Sequence, residues 1–252
     1  LTAIVLRGLG ASFVFATSTE ILAGTEATKY IAPDQLYASG ISNSPIIDIL
    51  YVYGGGTSYT KSTIDSAITA IGASTASVLF RSGTWVIDDN LTIPSNIKVI
   101  TTNGTIFSIA TGKTLTINGN FVAGKSRVKA GAGILSFGSG AIDKAYVEWW
   151  GFATGSGAAQ QILNSSALQE AVDTNASKII LPAGNYYYST GLVINKTAQL
   201  IGSASSEGSP AAGLNTTQLF YTGAGVAITL YLNHENILLS NFMLVGTVSA
   251  IG

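Results

Sequence analysis

From Val78 onwards, short apolar and β-branched runs alternate with polar breaks. The runs are Val78–Phe80, Trp85–Ile87, Leu91–Ile93, Ile97–Ile100, Thr105–Ile109, Thr114–Ile117, Phe121–Ala123, Arg127–Lys129 and Ile134–Phe137, with Asn, Gly, Asp or Pro between them. Runs of this length bounded by turn formers read as strands. Their spacing suits either a β-sandwich or a coiled β-solenoid. The scarcity of two-residue hairpin loops favours the solenoid.

An internal repeat points the same way. Placing Gly83 of V-L-F-R-S-G-T-W-V-I over Gly184 of I-I-L-P-A-G-N-Y-Y-Y, an offset of 184 − 83 = 101, superposes Phe80 on Leu181 and Trp85 on Tyr186. The same offset carries Leu91–Ile100 onto Leu192–Ile201 without a gap. Pro182-Ala183-Gly184 marks a tight turn, because Pro presets φ and Gly accepts φ > 0. Stacking such units covers the strand edges that each would otherwise expose.

Each copy is preceded by a helical pattern. Ile64, Ala67, Ile68 and Ile71 form one apolar stripe over Thr63–Ile71, with Ser62 or Thr63 as cap and Gly72 as stop. Ala167, Leu168, Ala171 and Val172 form the matching stripe over Ser165–Asp173, capped by Ser165 or Ser166 and supported by Glu170. The helices are expected to cover the open end of each strand set. Phe152–Gln161 reads as loop, and V-E-W-W-G at Val147–Gly151 divides the copies. Ile46–Tyr53 is an apolar run whose length fits a short helix or a strand. Farther upstream, Thr17–Ala23 suits a short helix ended by Gly24. The strand rhythm stops at Gly252 in mid-course, so the polypeptide is expected to continue.

Composition narrows the function. Only 10% of residues are charged, against roughly 25% in an average domain, so small polar residues or other subunits must cover the surface. Twelve Lys+Arg against 13 Asp+Glu, with no basic cluster, leave no electrostatic footprint for nucleic acid. There is no Cys and one His, His234, which argues against thiolate or multi-histidine metal centres and most His-dependent catalysis. Mean hydropathy is +0.41, yet no apolar run reaches the roughly 18 residues of a membrane helix. The opening Leu1–Ala16 lacks the basic start of a signal peptide.

Ala16, Thr17, Glu20, Ile21, Gly24, Thr25, Lys29, Tyr30, Pro33 and Leu36 fill a pattern that resembles a short element of bacteriophage tail fibres and tail spikes, with Ala32 where Thr is usual. Trp149, Trp150 and Gly151, the second helix, Ile179–Pro182, Gly184, Tyr186 and Leu200–Gly202 resemble the start of the pectate-lyase-like β-helix of tail spikes. The chain departs from that pattern in having no Asp in Phe152–Gln161. The resemblance implies an all-β, right-handed parallel β-helix in two consecutive units with short capping helices. Residues 1–62 would form a virion-proximal anchoring segment, 63–151 the first unit and 152–252 the second. It further implies a homotrimer on the virion, extracellular, docked on a tail or baseplate protein and supporting a distal region that binds host polysaccharide. The alternatives are a polysaccharide lyase or glycoside hydrolase with catalytic carboxylates beyond Gly252, and a bacterial surface adhesin.

Polysaccharide cleavage needs paired carboxylates, or a base with a cation. Asp88 and Asp89 read as a turn before Leu91, and adjacent strand residues would point to opposite faces. Asp143 and Glu148 flank the junction, and Glu148 beside two tryptophans is the carboxyl whose pKa burial would raise. His234 and Glu235 are neighbours that do not face each other. Trp149 and Trp150, with Tyr186–Tyr188, are the aromatic groups of a candidate sugar platform. Alternation sends Tyr187 to the other face, and Val86 and Ile87 replace two tyrosines in the earlier copy, so packing is the expected role. No catalytic, cofactor-binding or metal-ligating residues, and no cofactor, are assigned to this segment.

Overall fold

The structure is a computed structural model describing residues 46–203, 216–231 and 237–246. The Ala16–Leu36 pattern and the His234–Glu235 pair lie outside the described residues. Within them the chain is mainly β, and its named strands all pair in parallel.

Strands follow one another in threes. β1 (Ile46–Asp48) leads the first ladder, which continues through β2 (Ala76–Phe80), β5 (Ile97–Thr101) and β8 (Phe121–Val122). A second ladder joins β3 (Gly83–Ile87), β6 (Thr105–Ile109) and β9 (Lys129–Ala130), and a third joins β4 (Leu91–Ile93), β7 (Thr114–Ile117) and β10 (Ile134–Phe137). The chain visits the ladders in turn and returns to the first. A second set repeats the order: β11 (Lys144–Tyr146), β12 (Lys178–Ile180), β15 (Ala198–Ile201) and β18 (Ile237–Ser240); then β13 (Gly184–Tyr188), β16 (Thr217–Tyr221) and β19 (Phe242–Gly246); then β14 (Leu192–Ile194) with β17 (Ile228–Leu230).

Strict alternation of buried and partly exposed positions, as in β2 and β6, follows from the two-residue period of a strand. Parallel register then aligns inward residues in columns: Val78 with Val99 and Phe121, Trp85 with Phe107, Leu91 with Leu115 and Leu135. Phe80 meets Trp85 and Phe107 edge-on at 5.0 and 5.1 Å, a geometry that aromatic quadrupoles favour.

The 101-residue repeat has a backbone basis. Gly83 (φ 142°) and Gly184 (φ 138°) each open a second-ladder strand in a conformation that L side chains rarely adopt, and a Cβ on Gly83 would run into the Tyr59 ring. In the strands paired with them, Thr105 and Thr217 are buried, and their hydroxyls donate to the carbonyls of Phe80 and Pro182, each at 2.9 Å. The corner is built twice by the same means.

The apolar run at Ile46–Tyr53 is both strand and helix. β1 gives way at Asp48 to α1 (Ile49–Val52), capped when the Tyr51 N–H donates to the Asp48 carboxylate. α2 (Lys61–Ile71) buries Ile64, Ala67 and Ile71 over Ile49, Val78, Phe80, Ile93 and Ile97, leaving only ≈ 10 Å³ of void. It covers the mouth of the first strand set, as its stripe suggested. Its cap is Thr60 rather than Ser62 or Thr63, and the Thr63 hydroxyl donates to the Ser58 carbonyl at 2.9 Å.

α3 (Ala158–Asp173) corrects the expectation for the second helix. It starts seven residues earlier than Ser165, because A-A-Q-Q-I-L holds good helix formers and no breaker. Gly157 is the cap residue. Ser165 instead lies buried in mid-helix, donating to Gln161 (2.8 Å) and accepting from the N–H groups of Ser189 and Thr190 (3.0 Å each). Asn164, fully buried, donates to the carbonyls of Ala153 and Tyr187 and accepts from the Ala153 N–H. These bonds fasten α3 to the second strand set. Asn241 stands at φ 60° in the turn between β18 and β19.

Phe107→Ala is expected to cost about 3–5 kcal/mol, the range for deleting a large buried aromatic, whereas outward-facing Thr84→Ala should stay within about 0.5 kcal/mol. Denaturant titration of both variants measures the contrast. Equal costs would contradict the inward columns.

Candidate functional site at the junction of the two strand sets

The first ladder fails at one place. Val99 N–H bonds to the Asn120 carbonyl, and Phe121 N–H to that of Ala141 (2.9 Å), but β8 does not pair with β11, which starts the next set. On the adjacent ladder, Val128 N–H reaches the Trp149 carbonyl (3.0 Å) in a 3-10 turn, Val147–Trp150, instead of another strand. Gly151, at φ 90°, ends that turn. Where the ladder parts, a cleft of ≈ 270 Å³ opens.

Phe121, Ala141, Ile142 and Trp149 floor the cleft, and Asn120, Val122, Asp143, Lys144 and Tyr146 form its rim. The floor is held firmly. Trp149 meets Phe121 edge-on at 5.2 Å and Tyr146 at 5.6 Å, and its indole N–H donates to the Gly124 carbonyl at 2.6 Å. Around Tyr146 of the rim, the ammonium groups of Lys125 and Lys144 sit 5.6 and 5.7 Å from the ring centroid, within cation–π range. Neither lysine forms an ion pair among the described residues.

Glu148 precedes Trp149 in the 3-10 turn. Burial pushes its carboxyl above the usual carboxylate range, opposed by its own backbone N–H and by Lys125. One of its oxygens and the Trp150 indole nitrogen are buried without a partner. Burial also raises the Tyr186 hydroxyl to about 12, with the Glu148 charge adding to the effect, while that hydroxyl donates to the Ala183 carbonyl (2.8 Å). No second carboxylate acts on Glu148, so no acid–base pair is assembled there. Among the described residues, no group of three or more His, Cys, Asp or Glu could hold a metal ion.

The other candidates fall where the sequence suggested. Asp88 and Asp89 are exposed in the turn before β4, and Lys113, bonded at 2.7 Å, holds Asp89 below its usual value. Asp143 is exposed on the rim. Trp149, Trp150, Tyr186 and Tyr188 are almost fully buried, with Tyr186 stacked on Phe152 at 4.5 Å. Tyr187 faces outward and stacks on Phe220 at 4.7 Å. That stack follows the ladder, so each ring covers one face of the other.

Two features escaped the sequence reading. Lys125, Lys144 and Tyr146 converge only because the ladder breaks between them; the one local signal is Lys144-Ala145-Tyr146, where inward Ala145 leaves its neighbours outward. The second is Lys129, in inward register with Phe107, whose ammonium reaches Glu170 of α3 at 2.9 Å. Glu170 therefore joins the strand sets instead of serving the helix's first turn.

Glu148 sets one pH dependence. Between its ordinary pKa near 4.5 and its raised folded value, the unfolded state ionises first, so its contribution to stability falls as pH rises through that window. Glu148→Gln should therefore raise the melting temperature at pH 7 and lose this advantage below pH ~4; an advantage that persists in acid would refute the assignment. Glu170→Leu should cost roughly 2–3 kcal/mol by stranding Lys129, less than a fully enclosed pair because Glu170 is partly exposed, and adding Lys129→Met should recover most of that loss. Thermal melts of the single and double variants decide it.

No family model, curated protein or solved structure matches the chain.

Proposed function

We propose that the chain is the structural N-terminal part of a bacteriophage tail spike or tail fibre, folded as a right-handed parallel β-helix in two consecutive units. Residues 1–62 would attach it to a tail or baseplate protein of the virion, and the stack would support a distal region that binds host polysaccharide. The protein would act as a homotrimer outside the cell.

The observation that carries this reading is the three-ladder parallel stack, filled by side chains and interrupted once by α3. Such a stack is stiff, spaces its ends apart and encloses no channel, which suits a stalk. Right-handed winding is the hand of about 98% of parallel crossovers within a sheet. Low charge, with Ser, Thr and Asn on outward positions, leaves long faces free to pack against sister subunits. No helix of the described residues is long and apolar enough to cross a membrane. The described carboxylates form no pair suited to sugar cleavage, which favours a supporting role over a depolymerase.

Sedimentation equilibrium of the chain should give a trimer at micromolar concentration, and incubation with a panel of acidic and neutral capsular polysaccharides should release no oligosaccharides. A monomer would remove the trimeric stalk. Released oligosaccharides would replace it with the enzyme reading.

A further inference from the structure

We propose that Asn103 is a site of spontaneous covalent modification, at which the side-chain amide is lost and the main chain is rerouted through isoaspartate. The assignment holds whether or not the chain belongs to a virion. The chain has two Asn-Gly steps, Asn103-Gly104 and Asn118-Gly119. In such a step the nitrogen of the second residue can attack the side-chain carbonyl carbon of the first, and glycine, having no Cβ, hinders that attack least. The fold decides which of the two reacts.

Asn103 and Gly104 are both exposed, in the corner between β5 and β6. The Thr105 N–H donates to the Thr102 carbonyl at 3.2 Å and Gly104 stands at φ 85°, the pattern of a type II turn with Asn103 and Gly104 at its centre. That turn uses neither the Asn103 side chain nor the Gly104 N–H, and among the described residues neither has a hydrogen-bond partner. Amide and nitrogen are free to meet. Asn118-Gly119 is built the opposite way. Asn118 is half-buried with its N–H donating to the Ile93 carbonyl at 2.9 Å, and Gly119 is buried so closely that a Cβ on it would run into the Ile97 carbonyl. The additional main-chain carbon of isoaspartate has no room there.

Water is the only co-reactant. The Gly104 nitrogen, giving up its proton to solvent, bonds to Asn103 Cγ; the Cγ–Nδ2 bond breaks, ammonia leaves with a proton from solvent, and a five-membered imide closes. Water then opens the ring at either carbonyl. Attack at the carbonyl beside Cα leaves Gly104 joined to Cγ and frees an α-carboxylate, so the main chain gains one carbon and the corner one negative charge. The consequence is structural. The Gly104 carbonyl accepts from the Gly83 N–H at 3.0 Å, and Gly83 opens β3 at φ 142°. Lengthening the chain at Gly104 therefore loosens the corner that the internal repeat builds at Gly83.

Peptide mapping by mass spectrometry after incubation in mildly alkaline buffer, with isoaspartyl methyltransferase labelling, tests the assignment. In the folded chain Asn103 should convert roughly tenfold or more faster than Asn118, because Asn118 must wait for its turn to open locally. In concentrated urea the two should convert at similar rates. The isoaspartate form should lose hydrogen-exchange protection at the Gly83 N–H, measured by NMR. Asn103→Gln should abolish conversion at this position and leave the melting temperature unchanged, since the side chain is exposed and makes no hydrogen bond. Absence of isoaspartate at Asn103, conversion of Asn118 at an equal rate in the folded chain, a rate difference that persists in urea, or undiminished protection of Gly83 in the converted protein would each overturn the proposal.

Discussion

Parallel register is the constraint on which the rest of this structure depends. Once Trp85 is paired with Phe107 and Leu91 with Leu115, every second residue of three ladders must be apolar or internally bonded. A slip of one residue would turn whole columns outward. The few polar groups in the columns obey the same rule: Thr105 and Thr217 spend their hydroxyls on the carbonyl of the preceding strand group. The interior pair Tyr188 and Tyr221, 5.2 Å apart on paired strands, follows from a strand spacing of about 4.8 Å, whereas Phe80 meets Trp85 and Phe107 across the corner between the first and second ladders.

The register also explains why α3 lies where it does. The first strand set ends with a lysine, Lys129, in an inward column below Trp85 and Phe107. Another strand group stacked there would leave that ammonium with apolar neighbours. α3 brings Glu170 to it instead, and Asn164 and Ser165 of the same helix bind the backbone of the second set. One helix thus ends one stack and starts the next. Buried ionic pairs add little net stability, so the gain lies in fixing where the helix sits.

Much of this was legible in the sequence because it depends on short-range periods. The two-residue alternation gave most of the strands, the 101-residue offset gave both sets, and a 3.6-residue stripe gave α2 and the buried face of α3. What stayed hidden depends on breaks in those periods. The start of α3 was obscured because its first two turns, A-A-Q-Q-I-L, carry exposed Ile162 and Leu163 and so no inward stripe. Lys129 was read as part of a strand, but nothing local says that a lysine in an inward column is answered from residue 170. The cleft was invisible for a related reason: Asn120, Lys125 and Tyr146 are ordinary outward residues until the ladder between them opens.

In a stacked-strand protein, concave surface arises where a ladder is interrupted. Along an intact ladder, an outward side chain is flanked at strand spacing by those of the paired strands, as Phe220 is by Tyr187 and Val245. Concavity needs a missing hydrogen bond. Between Phe121 and Lys144 the ladder makes one bond and then parts, exposing the side of an otherwise buried aromatic layer. Trp149, which holds the junction together, is therefore also part of the floor of its cleft. A single interruption of register supplies both the join between strand sets and the cleft beside it.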